Sequence, residues 1–143
     1  MTKSFKCEIV SAQEGIFSGE IERIIANGLM GELGILPGHA PLLTELKPGP
    51  VRVIYDGGQE ESYYVSGGFL EVQPDVVTIL ADAATRAHDI NEAAAEEARQ
   101  QALKHLNDKS SELDYTRASA ELAEAVAQLR TVQQLRKKAG GKS

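Results

Sequence analysis

The chain has 143 residues, 25% of them charged, and a formal net charge of −6 at neutral pH. That acidic balance, with only four Tyr, three Phe and no Trp, argues against a nucleic-acid-binding surface. The single cysteine, Cys7, excludes an internal disulfide, fits a reducing compartment and is expected in the core. Nothing reads as a signal or transit peptide or as an 18-residue apolar run, so direct membrane insertion is not expected.

Composition divides the chain in two. Residues 1 to 88 hold all five prolines, eleven of the thirteen glycines and the whole net negative charge; from Asp89 onward acids and bases balance. A turn-rich β part, residues 1–86, is therefore expected to precede a helical part, residues 87–143.

In chain order, Phe5, Cys7 and Ile9 alternate with Lys6 and Glu8, the pattern of an opening strand with one buried face. Ile16 and Phe17 continue the β pattern, Ser18-Gly19 signals a turn, and Ile21 to Ala26 reads as a second strand. Gly28 to Gly49 packs glycines and prolines around short apolar pairs and reads as tight corners, with Ile35-Leu36 and Leu42-Leu43 entering the core. Val51 to Tyr55 and Glu60 to Val65 flank an Asp56-Gly57-Gly58-Gln59 hairpin loop. Ser66-Gly67-Gly68 then leads into Phe69 to Gln73, and Pro74-Asp75 into Val76 to Leu80. Many short strands with no helices between them predict an antiparallel β-sandwich or flattened barrel of about eight to ten strands, and disfavour a parallel sheet.

The period changes between Ala81 and Ile90. Asp89 and Glu92 have capping-box spacing, predicting a helix over about 90–106 with Ala94 or Ala95, Ala98, Ala102 and Leu106 as its apolar stripe. Asn107 to Ser111 is a polar turn. A second helix over about 111–138, capped by Ser110 or Ser111, carries Leu113, Leu122, Val126 and Leu129, with Ala118, Ala125, Val132 and Leu135 on or beside that face. Its acids lie early and its bases late, as the helix dipole favours. At roughly 40 Å it is longer than a small domain is wide, so part of it needs another partner. The two helices form an antiparallel hairpin with an alanine-rich seam. Burying a Leu or Val contributes about 1.5–3 kcal/mol and an Ala far less, so the expected arm docks weakly and can open.

No catalytic constellation is found. His39, His88 and His105 lack metal-ligand spacing, so no metal is expected, and there is no nucleophile elbow or Cys–His pair. Gly141-Lys142-Ser143 lacks the rest of a P-loop, and Gly28, Gly31 and Gly34 have the wrong spacing for a dinucleotide fingerprint.

The stretch GELGILPGHAPLLTELKPG from Gly31 to Gly49 closely resembles the signature region of the epsilon subunit of F-type ATP synthases. FSGEIERI, YVSGGFLEVQPDVVTILAD and DYTRASAELAEAVAQLR resemble that subunit in the same order, over nearly the whole chain and with a proteobacterial flavour. The resemblance implies a non-catalytic subunit of the proton-translocating rotor's central stalk, with a ten-stranded β-sandwich and a helical hairpin, peripheral on the cytoplasmic face of the bacterial inner membrane. It implies that Gly31, Glu32, Leu33 and Gly34 face the membrane rotor ring, and that His39, Ala40, Pro41, Leu42 and Leu43 face the gamma subunit. It also implies an arm that inhibits ATP hydrolysis by inserting between catalytic subunits of the alpha–beta core, where Arg117, Arg130, Arg136, Lys137 and Lys138 would meet the acidic lever segment of the beta subunit. Nucleotide-sensing members carry Ile or Leu, Asp, two variable residues, Arg and Ala at the start of the first helix. Here Asn91 follows Ile90 and Ala94 replaces the arginine. Alanine cannot supply the lost guanidinium, so ATP binding to the isolated subunit is expected to be weak or absent and no cofactor is expected; Arg99, one turn later, is the residue that could partly substitute.

Two other readings stand beside this one. A stand-alone β-sandwich could bind a ligand and dimerise through its hairpin, although sustained heptads with charged flanks are absent. Alternatively, a stalk subunit could carry a purely structural arm.

Overall fold

A computed structural model describes residues 4–107 and 112–140, with side chains over 4–107 and 115–136. Ten strands are followed by two helices: β1 Phe5–Ser11, β2 Gly15–Ile21, β3 Arg23–Gly28, β4 Gly31–Ile35, β5 Leu42–Leu46, β6 Gly49–Ile54, β7 Glu60–Val65, β8 Gly68–Val72, β9 Val76–Ala81, β10 Ala84–Arg86, a 3-10 turn Ala87–Asp89, α1 Glu92–Asn107 and α2 Glu112–Gly140. The strands hydrogen-bond in the order β10-β7-β6-β3-β5-β8-β9-β1-β2, with β4 beside β3.

The sheet folds over on itself at β3, whose first residues pair with β6 while Gly28 at its end pairs with Leu46 of β5. Inward side chains from both halves, among them Cys7, Ile9, Ile24, Val53, Tyr63, Leu70 and Ile79, merge into one core. The sheet is antiparallel except where β1 lies parallel to β9. Period alone does not reveal that pair, because β1 and β9 are separated by most of the sandwich and alternate in the same way. Gly68 sits where β8 leaves its turn at φ +139°, and a Cβ there would lie 2.0 Å from the Leu80 carbonyl oxygen. Only glycine fits such a position.

Several expectations change at the level of single strands. Ile21 to Ala26 is not one strand: Ile21 ends β2 and β3 starts at Arg23. Here the chain exchanges β1 for β6, and the Glu22 N–H donates to the Ile54 carbonyl at 2.8 Å. Buried Ile21 and Ile24 are three apart, which strict alternation would not give. Gly28 to Gly49 holds two strands rather than corners alone. Of the apolar pairs, Ile35 is buried and Leu42 packs on the core from a half-buried position, while Leu36 and Leu43 are 56% and 66% exposed. Adjacent strand residues face opposite sides, so both members of a pair cannot enter the core.

The first helix is capped two residues later than expected. Asp89 closes the 3-10 turn, and the Asn91 side-chain oxygen accepts the Ala94 N–H at 3.0 Å. Ala95 and Ala102 are buried, Leu106 is half-buried and Ala98 is exposed. Along α2, Ala118, Ala125 and Val132 are buried with Leu122, Leu129 and Leu135 half-buried, whereas Val126 faces solvent. Ser110 and Ser111, and the side chains of Leu113, Lys137 and Lys138, lie outside the described residues. Ala127 and Thr131, also buried, lie away from the Ala118–Ala125–Val132 line, Ala127 nearly opposite it and Thr131 about 100° round from Val132. Thus α2 has two covered sides, one against α1 and one against β6 and β7.

Candidate functional site

The β3–β4 hairpin places the residues expected at the rotor ring. Glu32 opposes Asn27 and is exposed, Leu33 turns inward onto the core, and Gly31 and Gly34 lie opposite Gly28 and Ile25. The turn between the strands carries two apolar residues that the sequence reading missed, Leu29 and Met30, the latter fully exposed. Two apolar side chains at a solvent-facing tip suit a contact, Met30 being wholly exposed and Leu29 about half exposed.

His39 to Leu43 forms the approach to β5. The His39 N–H donates to the Leu36 carbonyl at 3.2 Å, and its Nδ1 lies 2.7 Å from the Ala40 carbonyl oxygen. Ala40 and Pro41 are exposed, and of the next two residues Leu43 points outward. Cross-strand register extends this segment into a surface. Glu45 opposes Phe69, and Phe69 opposes Leu80, so Leu43, Phe69 and Leu80 share the outer face of β5, β8 and β9. All three are exposed. Alternation in β8 and β9 was legible, but which alternate residues faced outward to form one patch depended on strand order.

The last strand is anchored where the helical arm departs. Glu61 accepts hydrogen bonds from the Tyr55 hydroxyl at 2.9 Å and from Arg86, whose guanidinium also lies 5.3 Å from the centre of the Tyr63 ring. Phe17 meets Tyr55 edge to face, with ring centres 5.9 Å apart. Burial, with help from Glu61, pushes the Tyr55 phenol up to about 12. This cluster joins β2, β6, β7 and β10, so the arm leaves from a fixed point.

Between the start of the arm and α2 lies a cleft of about 470 Å³, lined by Ile90, Asn91 and Ala94 of the expected nucleotide motif together with Thr85 and Gln128. Its charged lining is wholly acidic: Asp89, Glu121 and Glu124. Arg99 does not line it. The Arg99 guanidinium is held on α1 by Glu96, at 2.6 and 3.2 Å.

The basic residues of α2 divide by environment. Arg117 is exposed, Arg136 pairs with Glu92 across the hairpin, and Arg130 reaches the sheet, where its guanidinium lies 3.2 Å from the position a Cβ on Gly49 would occupy. Gly49 thus makes room for the arm. Among the described residues no cluster of His, Cys, Asp or Glu is arranged to hold a metal ion, and no helix is long and apolar enough to cross a membrane.

The chain is thus a β-sandwich with exposed apolar side chains on its surface and a helical arm docked against it. Residues 4–87 match the family described as ATP synthase, Delta/Epsilon chain, beta-sandwich domain, and residues 88–133 its long alpha-helix domain. The chain belongs to the ATP synthase delta/epsilon family as an epsilon-type, non-catalytic subunit of the central stalk. It is 75% identical over 135 residues to the ATP synthase epsilon chain of Chromohalobacter salexigens, covering 94% of this chain and 96% of that one. Among solved structures, a chain of the Euglena gracilis mitochondrial ATP synthase, in an OSCP/F1/c-ring assembly, superposes with a TM-score of 0.80 at 25% identity, over 87% of this chain and 78% of that one. A chain of the Tetrahymena thermophila mitochondrial ATP synthase central stalk and c-ring gives 0.60 at 12% identity, over 92% and 98%, and shares the fold.

Proposed function

We propose that this subunit couples the gamma subunit to the membrane rotor ring of a proton-translocating synthase on the cytoplasmic face of the bacterial inner membrane, and that its helical arm inhibits ATP hydrolysis. The ring contact is the β3–β4 tip, with Glu32 as its polar member beside Leu29 and Met30. The gamma contact is the His39–Leu43 segment continued by Phe69 and Leu80. The arm acts by leaving the sheet and presenting Arg117, Arg130, Arg136, Lys137 and Lys138 to the acidic lever segment of the beta subunit.

The observation that carries the inhibitory reading is the way α2 is seated. It lies on β6 and β7 through Ala127, Thr131 and Arg130, and on α1 chiefly through alanines. Apart from Tyr64 on the sheet, the buried side chains of this seat are small, and the bases needed by a partner travel with the arm. Removing residues 111–143 tests this reading. The complex should still assemble and should hydrolyse ATP faster; unchanged hydrolysis across nucleotide and proton-gradient conditions would reject the inhibitory arm.

ATP binding to the isolated chain should be weak or absent. A triphosphate entering the cleft would meet three carboxylates, with no guanidinium among the lining residues. Micromolar affinity in calorimetry would contradict this.

A further inference from the structure

Tyr63 and Tyr64 are neighbours on β7 with opposite fates. Tyr63 points into the sandwich core, and its hydroxyl accepts a hydrogen bond from Arg86 at 3.0 Å. Tyr64, on the other face, is 2% exposed yet lies outside that core. It is covered by α2, the helix packed on β7, and the Glu124 carboxylate on that helix is close enough to act on its phenol. Its hydroxyl finds no hydrogen-bond partner among the described residues. The other buried polar group of this interface behaves differently: the Thr131 hydroxyl donates to the Ala127 carbonyl of its own helix at 2.8 Å.

A buried hydroxyl without a partner loses hydration and gains nothing in return. Phenylalanine would fill the same space without that cost. Lifting α2 off the sheet would let water reach the hydroxyl and satisfy it. None of the groups facing it from the neighbouring elements hydrogen-bonds to it: not Glu124 on α2, nor the adjoining strand residues, Pro50 of β6 and Thr85 of β10.

We infer that Tyr64 is a conformational bias built into the sheet under the arm: its unpartnered hydroxyl weakens the docked state and favours the lifted one, keeping docking reversible. This inference rests on the mobile arm of the proposed function but not on what the lifted arm contacts.

The test is Tyr64→Phe in the full chain. Lifting is read by the labelling rate of a cysteine placed at Ala127, which the sheet covers, and by hydrogen exchange of α2 in the chain without that cysteine. Relief of one unpartnered hydroxyl should slow labelling and exchange roughly five- to hundredfold. Unchanged or faster rates in both measurements would overturn the inference. Tyr63→Phe is the control: it removes a satisfied hydroxyl and should lower the stability of the sandwich without slowing labelling. Hydrolysis by the assembled complex separates the two claims. Slower lifting with less inhibition supports both, whereas slower lifting with unaltered hydrolysis sustains the bias and rejects the inhibitory arm.

Discussion

The sandwich and the arm are built from different materials. In the sandwich, Ile9, Ile21, Ile24, Ile35, Leu70 and Ile79 are fully buried, and each such side chain contributes about 1.5–3 kcal/mol. Among the described residues of α1 and α2, the buried ones are Ala95, Ala102, Ala118, Ala125, Ala127, Thr131 and Val132. Ordering entropy per residue is similar in both halves, so the half that buries less is the half expected to open first. The Glu61–Arg86–Tyr63 cluster at the junction ties β10 to β7 where the arm departs.

The sharpest way to break this contrast is in the sandwich. Gly68→Ala places a methyl against the Leu80 carbonyl at a positive φ, and should cost more than about 4 kcal/mol or prevent folding, as read by urea denaturation. Leu70→Ala should cost about 2–5 kcal/mol. Gly49→Ala acts at the boundary, because its methyl would lie 2.6 Å from Asn27 Nδ2 and 3.2 Å from the Arg130 guanidinium. We expect faster exchange in α2 with a smaller loss, about 1–3 kcal/mol, in the sandwich. In the arm itself, Arg136→Ala removes an exposed pair with Glu92 and should change stability by roughly half a kcal/mol or less.

Alkaline pH acts on the sandwich through Cys7 and Tyr55, and on the seat of the arm through Tyr64, whose phenol is also raised by burial and by Glu124. Burial, with the Glu8 charge second, pushes the Cys7 thiol from 9.0 up to about 12, and the Tyr55 phenol is raised from 10.0 to about 12. In both cases the folded state holds its proton more tightly than the unfolded chain. The associated stability is fully present below pH 9 and is lost as pH rises from about 9 towards 12. Cys7→Ala should flatten part of that decline in urea midpoints.

Much of the fold was legible because alternation and period are local. Phe5, Cys7 and Ile9 announced β1, Asp56 to Gln59 the β6–β7 hairpin, and Ala118, Ala125 and Val132 the inner side of α2. What the sequence withheld was set by partners distant along the chain. The break at Glu22 depends on β6, the outward patch of Leu43, Phe69 and Leu80 depends on strand order, and the second covered side of α2 depends on the sheet. The missed tip residues, Leu29 and Met30, carried a signal in retrospect: two apolar residues between Gly28 and Gly31 sit where a tight turn exposes both. The acidic cleft was half legible. Asn91 and Ala94 gave the loss of a guanidinium, but only the packing of α1 on α2 brings Glu121 and Glu124 to the same place.

Native-state hydrogen exchange on the full chain tests the contrast most directly. Amides of α1 and α2 should exchange through a local opening well below the free energy of global unfolding, while those of Ile9, Leu70 and Ile79 exchange only by global unfolding. Equal protection in the two regions would contradict the account.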